Sequence, residues 1–221
     1  MNIVVLSGAG MSAESGISTF RDQNGLWENH DIMDVASIEG WYKNPALVLE
    51  FYNKRRAQLF EVKPNNAHLK IASWQESHHV VVVTQNVDDL HERAGSQDVI
   101  HLHGTLRSVR STFSSHINYY WDKDLHIGDK AEDGHQLRPD IVWFGEDVPM
   151  IEPAIEVISN ADVLIVIGTS LQVYPASGLL HYAHKATLKY IIDPNCGNYN
   201  VPNNFVKIES TAVLGIDKVV L

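Results

Sequence analysis

Six short apolar runs, rich in β-branched residues, restrict the architectures open to this chain more than any other feature: residues 3–6, 80–83, 99–102, 141–144, 163–167 and 190–192. The apolarity in them is continuous, not alternating, so both faces of each strand are to be covered, as in a parallel sheet packed between helices. Helix-like segments lie between the runs. Asn65 and Asn66 can cap a helix over 67–74, and 153–158 reads as another just before the run at 163. The expected fold class is therefore α/β, a parallel sheet flanked by helices. Two stretches break the alternation, roughly 31–63 and 106–137, the second of them polar, with Ser111, Thr112, Ser114 and Ser115. They are expected to form a small accessory domain built from insertions, leaving 1–30, 64–105 and 138–221 to the large domain.

Composition narrows the function classes. With 221 residues, 44% hydrophobic and 20% charged, the chain can bury one sizeable core. None of the apolar runs can span a bilayer, and the first residues do not pair a basic region with an apolar stretch, so a cytoplasmic protein without a membrane partner is expected. A net charge of -10 repels phosphate backbones and argues against nucleic acid as a partner. Cys196 is the only cysteine, which excludes an intramolecular disulfide and any thiolate zinc cluster. The expected working state is a monomer.

The first run leads straight into SGAGMSAESGISTFRD, residues 7–22. Gly8, Gly10 and Ala13 form G-x-G-x-x-A after a strand, where glycines permit a tight turn and close backbone approach to a pyrophosphate at a helix N-terminus. Alone, the pattern could equally be a turn that merely joins strand to helix. No acidic residue closes a second strand at the distance that would hold an adenosine ribose, which disfavours a hydride-transferring dehydrogenase. Three later segments add to it. TQNVDDLHERAG (84–95) leaves a strand's carboxyl end carrying Gln85, Asn86 and Asp88; HLHG (101–104) carries two histidines; GTS (168–170) supplies a second glycine turn.

Taken together, these motifs resemble the sirtuin family of NAD-dependent protein deacylases, from the first strand to IDPN at 192–195. The resemblance implies a Rossmann-like large domain, a small domain, and a cleft where NAD and an acyl-lysine protein or peptide meet. It implies that NAD is consumed: the acyl oxygen attacks the ribose carbon that bears nicotinamide, and water then releases lysine and an O-acyl-ADP-ribose. In this picture His103, Asn86 and Asp88 are the catalytic set. An imidazole titrating near neutrality can take the proton of a ribose hydroxyl. Gly8, Ala9, Gly10, Ser12, Phe20, Arg21, Gln85, Gly168, Thr169, Ser170 and Asn195 are the implied NAD contacts, with Phe20 shielding the reacting centre. Plainer readings stand beside these. His101 and His103 share a strand face, so either can be the base, and only the resemblance selects His103. Asn86 and Asp88 can be simple turn formers; His91 and Arg93 read as braces for the following helix, and His68 as a core-facing helix residue.

On the acceptor side, VWFGE (142–146) resembles the family segment that pairs with the substrate backbone, making Val142, Phe144 and Gly145 candidates to line an acyl-lysine tunnel. Tyr52 and Arg55, three apart in FYNKRRAQLF, resemble the pair of the subgroup that removes succinyl, malonyl and glutaryl groups, where a guanidinium and a phenol hold a free carboxylate. The alternative is a solvated basic helix face, given Lys54 and Arg56 alongside. The chain departs from the family between His103 and Arg138, where most members carry two cysteine pairs around a structural zinc and this one carries none. A zinc-free small domain is expected, with Phe113, Tyr119, Tyr120 and Trp121 as a compensating apolar cluster. An NAD hydrolase or ADP-ribosyltransferase, and a catalytically silent NAD or ADP-ribose binding module, are the competing functions.

Overall fold

The computed structural model describes residues 1–19, 26–27 and 30–221. Phe20 and Arg21 lie outside the described residues. In chain order the first half runs β1 (Asn2–Ser7), α1 (Gly10–Ala13), β2 (Leu26–Trp27), β3 (His30–Asp31), α2 (Ile32–Val35), α3 (Ile38–Lys43), α4 (Pro45–Gln58), α5 (Asn66–Ser73), β4 (His79–Thr84) and α6 (Leu90–Ala94). The second half adds β5 (Asp98–His101), β6 (Gly104–Ser111), β7 (Asn118–Tyr120), β8 (Leu137–Ile141), α7 (Ile151–Ser159), β9 (Val163–Ile167), β10 (Leu188–Ile192), β11 (Val206–Ile208) and α8 (Ala212–Ile216).

Six strands make a parallel sheet in the order β11-β10-β9-β1-β4-β5. Successive side chains of a strand point to opposite faces, and here both faces are covered. Val4, Leu6, Val81, Val83, Leu164 and Val166 pack towards Ala154 and Ile158 of α7. Ile3, Val5, Val80, Val82, Ile165 and Ile167 pack towards Ala67 and Ile71 of α5 and Ala212 and Ile216 of α8. Each such side chain contributes about 1.5–3 kcal/mol on full burial, which is why the runs could not alternate with polar residues. Helix α5 is fixed at its start by a reciprocal cap. The Asn65 side chain accepts from the Ala67 and His68 amides, while His68 Nδ1 accepts from the Asn65 amide at 3.3 Å. His68 is fully buried, as its place on the helix implied.

A second module adjoins the carboxyl ends of β4 and β5, with the Leu106 amide on the Val87 carbonyl at 2.8 Å and the Val142 amide on the His103 carbonyl at 2.9 Å. Strands β7, β6 and β8 form an antiparallel sheet, and α2, α3 and α4 pack with it around Val35, Trp41, Val48, Phe51, Leu106, Val109, Leu125, Leu137, Ile141 and Trp143. The run at 141–144 differs from its expected role as a strand of the parallel sheet. Only Ile141 is in a strand, and β8 pairs with β6. The apolarity of that run has another cause: Trp143 is buried in the small module's core, and Phe144 uses its amide on the Ala36 carbonyl and its carbonyl on the Ile38 amide.

The anticipated aromatic cluster is half right. Tyr119 and Trp121 pack against this core, but Tyr120 and Phe113 are 70% and 75% exposed. Strand alternation puts residues 119 and 121 on one face and 120 on the other. The remaining restraint is polar. Asn53 both donates to and accepts from the Leu125 backbone at 3.0 and 2.9 Å. Arg56 donates to the Leu106 and Lys123 carbonyls, Gln136 spans Gly128 and His126, and Ser111 donates to Asp133.

Candidate active site

The strand order reverses between β1 and β9, and ligands of open α/β sheets bind at such a switch point, outside the carboxyl ends. Two glycine turns meet there. Gly8 N donates to the Ile167 carbonyl at 3.0 Å and Gly10 N to the Gly168 carbonyl at 2.8 Å. Gly168 has φ +63°, and a Cβ on it would run into the Met11 amide; one on Gly10 would come within 2.9 Å of Gly168 Cα, and one on Gly8 within 2.7 Å of Thr169 Cβ. The turns interlock through missing side chains. The Met11 and Ser12 amides turn back on the Gly8 and Ala9 carbonyls and close the first turn of the short α1. What the glycines supply is close approach of one turn's backbone to the other's. Ala9 and Ser170 sit half-buried in these turns, and Asn195 is exposed in the turn after β10.

The loop leaving β4 places a polar cluster against this cradle. Ser7 Oγ donates to Thr84 Oγ1, which also accepts the Asn86 amide, so the ends of β1 and β4 and the loop are joined through one hydroxyl. Ser12 Oγ donates to Asp88 Oδ2 at 2.9 Å and accepts from Asn86 Nδ2 at 3.1 Å. Asp88 Oδ1 accepts the Leu90 amide at the start of α6. Asn86 and Asp88 are thus buried and bound to Ser12 as well as acting as turn residues; burial pushes the Asp88 carboxyl above its ordinary range against its hydrogen bonds from Leu90 and Ser12. Gln85 Nε2 donates to Thr169 Oγ1 at 3.1 Å, tying this loop to the second glycine turn. His91 is buried and bonded to Ser7, and Arg93 donates to the Leu59 and Val62 carbonyls, so both do brace this region.

The two histidines now separate. His103 Nδ1 meets the Gln85 carbonyl at 3.1 Å. A carbonyl only accepts, so Nδ1 carries the hydrogen and Nε2 keeps its lone pair in the neutral ring. Burial lowers the His103 pKa from its ordinary value, against the opposing pull of the Gln85 carbonyl, and so favours that neutral form. His101 Nδ1 meets the neighbouring Asn86 carbonyl at 2.9 Å, and its Nε2 meets Glu92 Oε1 at 2.6 Å.

Val142 N donates to the His103 carbonyl at 2.9 Å, which carries the site into the small module. Trp143 Nε1 donates to Tyr52 Oη at 3.0 Å, so the phenol accepts there and keeps its own hydrogen to donate. Burial raises the Tyr52 pKa, so it stays a phenol. Arg55 is 6% exposed, with its guanidinium 5.8 Å from the Phe51 ring centre, and Arg56 is 1% exposed. The solvated basic face is confined to Lys54, which pairs with Glu50 at the surface. Half-buried Val142 and exposed Phe144 and Gly145, the latter at φ +90°, lie on the turn after β8. Phe144's backbone groups are occupied by Ala36 and Ile38, so it has only its side chain to offer a peptide.

Several residues of this site drew no notice in the sequence. Arg138 holds Glu146 through Nη1 at 2.6 Å and Nη2 at 2.9 Å, its guanidinium 3.5 Å from the Trp143 ring centre, and Glu146 also accepts the Trp143 amide. Arg138 lies four residues before the VWFGE run and Glu146 ends it, and opposite charges eight apart around a buried tryptophan were the available signal. Ser7 and Thr84 carried none, being small polar residues at strand ends. A zinc site of four thiolates does not fit this chain: Cys196 is in the core behind β10, and among the described residues no three His, Cys, Asp or Glu side chains come together as a metal cluster. NAD does fit the donor set, since the glycine cradle and the Ser12, Gln85, Asn86 and Asp88 cluster adjoin at one edge.

Comparison with known proteins agrees with this arrangement. The family model described as "Sir2 family" matches residues 8–175. A Helicobacter pylori protein named NAD-dependent protein deacylase is 59% identical over 212 residues, 96% of this chain and 93% of its own. One of the same name from Bacteroides thetaiotaomicron is 54% identical over 199 residues, 87% and 85% of the two chains. Among solved structures, a Sir2 homologue in complex with NAD superimposes with TM-score 0.85 at 36% identity, covering 98% of this chain and 86% of that one. A Sir2 complex with an inhibitor, 2′-O-acetyl-ADP-ribose and a deacetylated p53 peptide gives TM-score 0.78 at 29% identity, covering 98% and 91%.

Proposed function

The chain belongs to the Sir2 family, and from that premise we propose that it is an NAD-dependent protein-lysine deacylase that transfers the acyl group of a modified lysine to NAD-derived ribose, releasing nicotinamide. The observation that carries the reading is the state of His103: with its Nδ1 hydrogen given to the Gln85 carbonyl, Nε2 is left as a base at the edge that also carries Asn86, Asp88 and Ser12. NAD, as co-substrate, supplies the ribose carbon that receives the acyl oxygen. The chain's residues orient and exclude. Asp88, accepting from Ser12 and Leu90, is in the acceptor state that a carboxamide N–H requires, and Asn86 beside it offers an amide to a ribose hydroxyl. Gly8, Gly10 and Gly168 hold the two turns against each other, and the cradle so formed is the wall that would take the pyrophosphate.

The finer reading concerns the acyl group. Tyr52 and Arg55 are both buried on one face of α4, with the phenol oriented by Trp143, whose neighbour Val142 is bonded to His103. A phenol hydroxyl and a guanidinium placed there suit the terminal carboxylate of a succinyl or malonyl chain. The deciding experiment follows nicotinamide and deacylated peptide together, from succinyl-lysine and acetyl-lysine forms of one peptide. His103→Ala should lower both products about 10²–10⁴-fold, and Arg55→Met should remove a preference for succinyl while sparing acetyl turnover. Nicotinamide release with no deacylated peptide would instead establish an NAD hydrolase.

A further inference from the structure

His101 is not needed for any step above, yet it is the more tightly held of the two histidines. Its ring lies between two groups that can only accept: the Asn86 carbonyl, 2.9 Å from Nδ1, and the Glu92 carboxylate, 2.6 Å from Nε2. Neither oxygen brings a hydrogen, so each ring nitrogen is called on to donate. A neutral imidazole has one N–H, an imidazolium two.

We infer that His101 is held as an imidazolium paired with Glu92, and that the pair is a positioning device for the reaction: its hydrogen bond fixes the Asn86 carbonyl, and its charge keeps Asp88 a carboxylate. Glu92 retains 42% of its side chain in solvent, so the pair does not carry the full penalty of a buried charge. Asp88 has both oxygens accepting, from Ser12 and Leu90; burial and the neighbouring Asp89 charge work against its carboxylate, and the His101 cation favours it. The titratable groups facing His101 are Glu92 and His91 from α6 and Asp88 from the loop, with His68 of α5 behind, its ring centre 4.8 Å from that of His91. Burial pulls the His101 pKa down, but Glu92, the Asn86 carbonyl and Asp88 outweigh it and the net movement is up, while burial drives His91 and His68 down and leaves them uncharged. His101 is then the cation of the group, and His103, two residues on, is the neutral base. One strand end carries both protonation states, which is how neighbouring titratable groups acquire different tasks.

The kinetic half of this inference rests on the deacylase reading; the spectroscopic half does not. Nitrogen-15 NMR of the imidazoles in the wild-type protein at neutral pH should show both His101 nitrogens protonated and only Nδ1 of His103. Glu92→Gln keeps an oxygen at the same place without the charge, and should leave His101 neutral. The acid limb of the pH profile for nicotinamide release should then move up by about one unit, as Asp88 loses its cation. His101→Gln, which can still donate to the Asn86 carbonyl, should show the same displaced limb, and stands in if the first variant does not fold. A neutral His101 in the wild type, or variants that lose turnover equally at every pH with the limb unmoved, would overturn the proposal. Absent deacylation with the NMR result intact would sink the functional reading and leave the ion pair standing.

Discussion

The carboxyl edge of the parallel sheet and the small antiparallel module meet at the His103–Val142 backbone bond but are held by opposite means. At the edge, backbone meets backbone because side chains are missing: Gly8, Gly10 and Gly168 close on one another with no room for a Cβ. In the small module the backbone is held by side chains reaching far along the sequence, Asn53 to Leu125, Arg56 to Leu106, Arg138 to Glu146. The first arrangement tolerates no addition, and the second loses stability with each removal. An edge of the first kind keeps one shape, while a module of the second kind can be adjusted by substituting single side chains.

The largest effect should come from adding one methyl group at the edge. Gly168→Ala places a Cβ against the Met11 amide at φ +63°, a conformation that costs an L-residue about 1–3 kcal/mol before the clash is counted. Pushing the two turns apart should lower nicotinamide release at least about 100-fold, the scale of a 1 Å misplacement. Unchanged turnover with unchanged NAD affinity would mean the turns are not interlocked. The matching removal in the small module is Arg138→Met, which takes away the bidentate partner of half-buried Glu146 and leaves it only Arg110, at 3.2 Å, and should cost about 1–3 kcal/mol in urea unfolding. Glu146→Gln added to it should recover part of that loss, since the half-buried carboxylate is gone and Arg110 still has Asp140 at 3.4 Å. Burial pushes Glu146 up, yet its bonds from Arg138 and Trp143 prevail and its pKa is lowered in the folded state. This contribution is therefore present above the ordinary glutamate value and fades as pH falls below it.

The same contrast decides what could be read from the residues. Five of the six apolar runs are strands of the large sheet, because a strand covered on both faces has few alternatives to unbroken Val, Ile and Leu. The glycine turns and the Gln85, Asn86 and Asp88 loop were legible for a similar reason, since a close approach demands glycine and a loop against a strand end demands side chains that accept and donate. The run at 141–144 misled because a tryptophan bound for a second core looks the same as one bound for the first. Ser7 and Thr84 were invisible, as a hydroxyl between two strand ends declares nothing without its partner 77 residues away. Small-module restraints fail the same test, with Asn53 and Leu125 separated by 72 residues. The charge of His101 was hidden too, because two histidines on one face look equivalent until the acceptors around each are known.

Acid should separate the two regions as well. Burial lowers His68 on the large-sheet side from 6.5 to about 4, so the folded state prefers it neutral and the unfolded chain binds the proton first. Its contribution is present above pH 6.5 and is lost as pH falls towards 4, about 3 kcal/mol over the window. Urea unfolding of the wild type across that range should therefore steepen relative to His68→Asn, and equal slopes would remove the buried neutral histidine from the account. The Glu146 pair begins to weaken only below the ordinary glutamate value, so the large module should feel acid first.

The smallest effect, and the sharpest in location, belongs to Asn53→Ala. Asn53 Oδ1 accepts the Leu125 amide and an Arg56 N–H, and Nδ2 donates to the Leu125 carbonyl, so one side chain closes the 121–136 loop on α4. Removing it leaves a backbone amide and carbonyl to find water, a loss of about 1–2 kcal/mol. Because no atom of this bond touches the glycine turns, the loss should remain local. Hydrogen exchange at the Leu125 amide should quicken while the β4 amides keep their protection, and NAD affinity should hold within about two-fold, a change of roughly 0.4 kcal/mol. If exchange in β4 quickened by the same factor, the small module would be a structural part of the large sheet's stability, and the two regions could not be adjusted separately. If only Leu125 and its neighbours respond, then side-chain bonds of this kind hold the loop in the region where most of the family uses thiolates and a metal, and they do so without fixing the wall that approaches the cofactor.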